Sequence, residues 1–363
     1  MKRFLIMIMI ILIFVPVYAG ENPYIISQSY FIKMMPVYQQ WSGSNNSSIS
    51  EFSIPLFVYL PVGRQLGITF RGNQANISGD VPTLNGLTDT QLAVSYHLES
   101  MNLVFNTGLN LPSGKKELTV NEFQTSALLS LNHFNFAVPN FGQGLNVSSG
   151  LSWALPLRDN FVVGLGASYQ YKGQFKPIAG MVDPYSPGDE LLLTGGFDFR
   201  LGPASSLSAD VIFTSYGADK IAGSPVFESG NRIVINTQFR RYFGHNRLWL
   251  LARYRSKSKN NYAVAGAMLE ETERTAPNQL EFIGQFNLQM SSKLSLGLLA
   301  EIRYFEKTPI FPGINIFGFG IEPRLSISQS ITIPVQVKYS YGKYKTGEEI
   351  TGLEAGIGLE IKL

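Results

Sequence analysis

Hydrophobic residues recur at every second position over long stretches of this chain. In the final stretch they are Leu353, Ala355, Ile357, Leu359, Ile361 and Leu363, with Gly352, Glu354, Gly356, Gly358, Glu360 and Lys362 between them. Period two predicts a β-strand with one apolar and one polar face. The pattern repeats in Phe161, Val163, Leu165, Ala167, Tyr169 and Tyr171, and in Leu294, Leu296, Leu298, Ala300, Ile302 and Tyr304. Ile331 to Tyr341 and Leu248 to Tyr254 follow it as well. The four strands other than the final one end in tyrosine on the apolar face, next to a long connection. That predicts an aromatic belt at a lipid–water interface, where the ring is buried and the hydroxyl stays wet.

The opposite parity is polar. It carries Asp198, Arg200, Asp210, Asn236, Gln238, Arg240, Arg253, Arg255, Gln279 and Glu281, then Glu301, Arg303, Glu322, Arg324, Lys338 and Glu354. An Arg or Lys facing lipid near the bilayer midplane costs roughly 2–4 kcal/mol, so these charges are expected to line a lumen. Their mixed signs predict a hydrated, salt-bridged interior and not a single-sign filter. Apolar patches at Leu192, Ile212, Trp249, Leu251 and Leu299 are expected among them.

Short turns alternate with long connections. The short ones fall at Pro61–Arg64, Leu98–Met101, Arg158–Asn160, Gly202–Ser205, Gly244–Asn246, Ser291–Ser292 and Gln329–Ser330. Between them lie 73–86, 112–142, 173–188, 217–230, 257–277, 306–313 and 343–349. The expected fold is all-β, a transmembrane antiparallel meander β-barrel of about 14–16 strands with long extracellular loops and short periplasmic turns. The count is sixteen if Tyr24 to Tyr38 is a strand and fourteen if that segment lies in the lumen.

Composition agrees with this reading. Of 363 residues, 15% are charged and 12% aromatic, none is cysteine, and the formal net charge is +3. Zero cysteine excludes disulfides and thiolate metal sites. The small, dispersed charge gives no nucleic-acid surface. Residues 1–19 read as a cleaved signal peptide: Lys2 and Arg3, an apolar run from Phe4 to Val15, then Val17-Tyr18-Ala19 before Gly20. Residues 20–47 are then a first strand or a plug, and 48–363 the barrel. Such a chain is expected in the bacterial outer membrane, with the lipid bilayer, its lipopolysaccharide, the barrel-assembly machinery and a small-molecule cargo as partners.

Chemistry is sparse. The three histidines are His97, His133 and His245, and their spacing favours no metal site. His97 lies near Glu99 and Ser100, but adjacency at a strand end is not a catalytic triad. No enzyme activity, metal or cofactor is expected. The loop containing Phe175, Pro177, Met181 and Tyr185 is rich in apolar residues and prolines, a candidate mouth element.

Gly86-Leu87-Thr88-Asp89-Thr90 and Leu111-Pro112-Ser113-Gly114-Lys115 resemble a pattern in outer-membrane proteins linked to aromatic (meta-cleavage phenol) degradation. Those proteins look related to the FadL-like long-chain fatty-acid and hydrocarbon transporters. Gly142-x-Gly144-x-Asn146 and Tyr185-Ser186-Pro187-Gly188-Asp189-Glu190 also look like that group. The resemblance covers about residues 50–260 and implies uptake of hydrophobic small molecules. Asn22-Pro23 is followed by Tyr24, not the small residue of the family's N-terminal hatch, so no plug is carried over. The expected function is therefore a channel for hydrophobic or amphipathic small molecules. A general porin for polar solutes and a non-transport surface barrel are the alternatives.

Overall fold

A computed structural model describes residues 29–363; the expected signal peptide lies outside them. Sixteen antiparallel strands form one closed barrel. They are β1 (Phe31–Met34 and Val37–Gly43), β2 (Ser48–Val62), β3 (Leu66–Gly79), β4 (Leu84–Leu87 and Thr90–Leu98) and β5 (Leu103–Leu111). There follow β6 (Asn146–Arg158), β7 (Phe161–Lys172), β8 (Glu190–Gly202), β9 (Ser205–Tyr216), β10 (Arg232–Phe243) and β11 (Asn246–Lys257). The last are β12 (Gln279–Gln289), β13 (Leu294–Phe305), β14 (Ile314–Ser326), β15 (Ile331–Tyr344) and β16 (Glu349–Ile357 and Leu359–Lys362). Each strand pairs with its neighbours in sequence, and β1 pairs with β16 to close the ring, Val37 opposite Gly356 and Lys33 opposite Glu360.

Closure satisfies the backbone of every wall strand and leaves no edge, which a chain in lipid requires. The outward parity is apolar and uncovered: Tyr169, Tyr171, Phe317, Phe319, Tyr339, Leu353 and Ile357 are all at least half exposed. A water-soluble barrel would not present such a band. Lipid is its solvent.

The closing seam is rich in proline. Pro36 splits β1, Gly358 splits β16, and Pro55 and Pro334 lie within β2 and β15. Proline has no N–H to give a ladder. The carbonyls of Pro36, Pro55 and Pro334 still accept, from the N–H groups of Ile357 (3.2 Å), Met35 (3.2 Å) and Gly358 (2.8 Å).

The 73–86 connection differs from the sequence expectation. Instead of a long loop over 73–86, β3 continues to Gly79 and β4 resumes at Leu84. Gln74, Asn76 and Ser78 look like loop residues, yet they alternate with Ala75 and Ile77, which are buried on the inner side. Here the usual polarity is inverted. Trp41, Ile49, Ile77 and Leu84 point inward and are almost fully buried, as are Ile314, Ile316 and Ile350 across the barrel. Something apolar must fill the lumen beside them.

Candidate functional site

The filling is the connection between β5 and β6. It contains helix α1 (Val120–Ser130), whose Thr119 cap bonds the Glu122 N–H while Glu122 bonds back to the Thr119 N–H. This capping box, extended by an ion pair from Lys115 to Glu122, fixes where the helix begins. Leu118, Leu129, Phe136, Val138 and Phe141 of the connection form one buried cluster with Trp41, Ile77, Leu84, Phe311, Ile314 and Ile316.

Below the helix, residues 133–138 are fastened to the wall through their backbone. Arg303 Nη1 donates to the His133 carbonyl (2.8 Å), and Trp41 Nε1 donates to the Phe134 carbonyl (3.0 Å). Gln39 takes both roles: its Nε2 donates to the Asn135 carbonyl (3.3 Å), and its Oε1 accepts from the Ala137 N–H (3.0 Å). The Val138 N–H donates to both oxygens of Glu51 (3.2 and 3.3 Å). An irregular buried segment must satisfy its polar groups somehow, and here the side chains of β1, β2 and β13 do it.

His133 belongs to this contact. It is 2% exposed, its ring lies 3.9 Å from that of Phe134, and its Nε2 is 3.1 Å from the Tyr344 hydroxyl. Burial, with the Arg303 charge adding to it, pushes its pKa down to about 3. The imidazole is neutral here.

The root of the connection is gathered by Asp89, between the two parts of β4. Its Oδ1 accepts from the Gly114 N–H (2.9 Å) and its Oδ2 from the Gln143 N–H (2.6 Å). Lys115 N–H donates to Leu87 (3.0 Å), and Gly142 N–H donates to Lys115 (2.9 Å). A Cβ at Gly114 would lie 2.6 Å from the Asp89 nitrogen, and one at Gly142 would lie 2.8 Å from the Lys115 carbonyl carbon. The three short motifs around Asp89, Gly114 and Gly142 thus meet at one point.

The mouth candidates lie on the next loop. Phe175 and Tyr185 exchange backbone hydrogen bonds (3.0 and 2.9 Å), with their rings edge to face at 5.8 Å. The Pro177 carbonyl accepts from the Leu118 N–H (3.0 Å), and the Met181 N–H closes a turn on Ile178 (3.2 Å). Tyr185 donates to Asp219; burial and that bond raise the phenol's pKa. This loop therefore touches the inward connection directly. Tyr185 also joins a five-stranded sheet built from three loops, with Ala218–Ile221, Ser224–Glu228, Asn261–Val264 and Ala267–Glu270.

The charged residues expected in the lumen form a belt across β9 to β16 and on to β1. Arg253 bonds Glu281 (3.1 Å) and the Asn236 oxygen (2.7 Å), and Asn236 bonds Asp210 (2.7 Å). Arg255 approaches Glu281 (3.6 Å), and Arg303 lies 3.3 Å from Glu301. Lys338 joins Glu354 (2.9 Å) to Glu301 (3.7 Å), and Arg324 joins Glu322 (3.1 Å) to Glu360. Arg240 and Trp249 share the oxygen of Gln238 (3.0 and 3.3 Å). Arg240, Trp249, Arg253, Arg255, Glu281, Glu301, Arg303, Glu322, Arg324 and Lys338 all lie on this inward parity. On β5, β6 and β7 the inward parity carries small groups: Asn106, Ser148, Ser152, Gly166 and Ser168.

No known protein family and no curated protein matches the chain in sequence. Among solved structures, Pseudomonas aeruginosa OccK5 (OpdH) aligns with a TM-score of 0.49 at 10% identity, over 92% of this chain and 98% of that one. Pseudomonas aeruginosa OccK1 (OpdK) aligns with 0.44 at 8% identity over 92% and 98%. A mutant Rhodopseudomonas blastica porin aligns with 0.40 at 10% identity, over 92% and 100%.

The residues missed in sequence are those that dock the inner connection: Gln39, Trp41, Glu51, His133 and Tyr344. A signal was present. In Trp41, Ile49, Ile77, Leu84, Ile314 and Ile350 the large apolar residues take the parity that elsewhere carries charge.

Proposed function

We propose that this barrel is an outer-membrane channel through which small hydrophobic or amphipathic molecules pass passively. The observation that carries the reading is the 112–145 connection, folded inward against one side of the lumen. On this reading the passage runs between the charged belt of β9 to β13 and the small residues of β5 to β7. The belt orients polar ends, while Leu192, Ile212, Trp249, Leu251 and Leu299 supply apolar contact, the usual mixture in small-molecule sites. The loop with Phe175, Pro177, Met181 and Tyr185 frames the entrance. The resemblance to hydrocarbon and fatty-acid transporters supports the same cargo class.

A general porin is the second reading, favoured by the paired charges of the belt, which suit a hydrated path. Single-channel conductance of the refolded protein, with and without a fatty acid or aromatic hydrocarbon, separates the two. Small conductance modulated by the hydrophobic compound supports the first. Large, steady and unaffected conductance supports the porin, and silence under every condition favours a surface barrel.

A further inference from the structure

We propose that residues 133–138 form an acid-released gate whose trigger is His133. The proposal rests on the channel reading above, because it treats the inward connection as the element that narrows the pore.

The geometry around His133 accepts a neutral ring and has no provision for a charged one. Nε2 meets the Tyr344 hydroxyl, whereas Nδ1 is buried without a partner. An imidazolium would carry a donor on both nitrogens, and the Nδ1 proton would face no acceptor. Three elements pack on the ring. From β13 comes the Arg303 guanidinium, bonded to the residue's own carbonyl and lying 3.3 Å from Glu301. From β15 comes Tyr344, on which Glu348 acts electrostatically. From the 306–313 loop comes Phe311, its ring 5.4 Å away. The one carboxylate at Arg303, that of Glu301, is shared with Lys338. Protonating His133 thus places a second cation beside Arg303 in an aromatic pocket.

The direction follows from linkage. The docked imidazole has its pKa pushed down to about 3 by burial, while a released, solvated one titrates near 6.5. Docking is unaffected by pH above that upper value and is lost progressively as pH falls below it. The docked-to-released ratio drops about tenfold per pH unit, hence about a hundredfold by pH 4.5. Trp41, whose ring lies 5.8 Å from Phe134 and whose indole N–H bonds that residue's carbonyl, reports the release.

The test uses the full refolded chain in lipid, in two readouts between pH 7.5 and 4.5. One is single-channel conductance. The other is Trp41 emission in a Trp153→Phe, Trp249→Phe background. We expect conductance to rise and emission to shift red as pH falls, and both changes to vanish in His133→Phe. His133→Gln serves as a second non-titrating variant should the phenylalanine disturb folding. Flat traces in both readouts, or the same pH response in the variants, overturn the gate. An acid shift of Trp41 that depends on His133, in a barrel silent at every pH, retains the gate movement and rejects the channel.

Discussion

Asp89 holds Gln143 from fifty-four positions away: its Oδ2 lies 2.6 Å from the backbone nitrogen of that residue. Its other oxygen binds Gly114. One carboxylate thus draws together the outgoing and returning ends of the connection that enters the barrel. Asp89→Ala should free both ends, because each charge-assisted bond lost costs about 1.5–3 kcal/mol. Limited proteolysis of the refolded protein should then cut within 112–145, where the parent resists; Asp89→Asn, which keeps one acceptor, should fall between.

The glycines beside that carboxylate are a matter of space. Gly142→Val would drive a branched side chain against the Lys115 backbone, which a Cβ alone approaches to 2.8 Å. Overpacking of this kind costs about 1–3 kcal/mol. The expected readout is a noisier open channel with the barrel's heat-modifiable electrophoretic mobility retained, since the wall strands are untouched.

Lys338 stands between Glu354 and Glu301 and is 7% exposed. Lys338→Met would leave two carboxylates short of their cation, and breaking a buried pair from one side costs about 3–5 kcal/mol. Urea unfolding in detergent should show a lower midpoint. The double variant Lys338→Met, Glu354→Gln should recover part of it.

Glu281 faces two guanidinium groups, Arg253 at 3.1 Å and Arg255 at 3.6 Å. Glu281→Gln leaves both cations on the inward face of the wall without their carboxylate. A unit charge about 4 Å from a passing ion is worth about 1 kcal/mol in water and about 4 kcal/mol at an effective dielectric of 20. The reversal potential in a salt gradient should therefore move toward anion selectivity, and high salt should shrink the shift.

The wall was legible because lipid imposes a simple rule. Every strand must be apolar outward, so parity sorted Leu165 and Tyr339 from Arg253 and Lys338 without any contact being known. Rule and residue agree wherever the inside is wet. They part where the inside is filled: Ile77 and Ile314 obey the same alternation with the faces exchanged, and Asn76 then looks like loop. Parity cannot say which partner covers an inward isoleucine, since the partner is remote in sequence, as Leu118 is from Ile350. His133 was opaque for the same reason. Asn132-His133-Phe134 has no local pattern, and its meaning comes from Arg303 and Tyr344, which only the closed barrel brings to it.

The short motifs illustrate a different limit. Thr88-Asp89, Gly114-Lys115 and Gly142-Gln143 suggested kinship with hydrophobic-compound transporters, yet their physical work is to knot the base of a loop. Their contacts are with one another, at the root of the inner connection.

Gln39 binds two things at once: the inner connection, at Asn135 and Ala137, and Glu354 of the last strand. It therefore ties mid-chain residues to both sides of the proline-rich seam. Its berth draws on β1, β2 and the last strands together, so it is incomplete until β16 closes the ring. Seating of the inner segment and sealing of the cylinder become a single late event. A premature stop before Glu354 would forfeit both together, leaving the greasy stretch from Phe134 to Phe141 without its harbour.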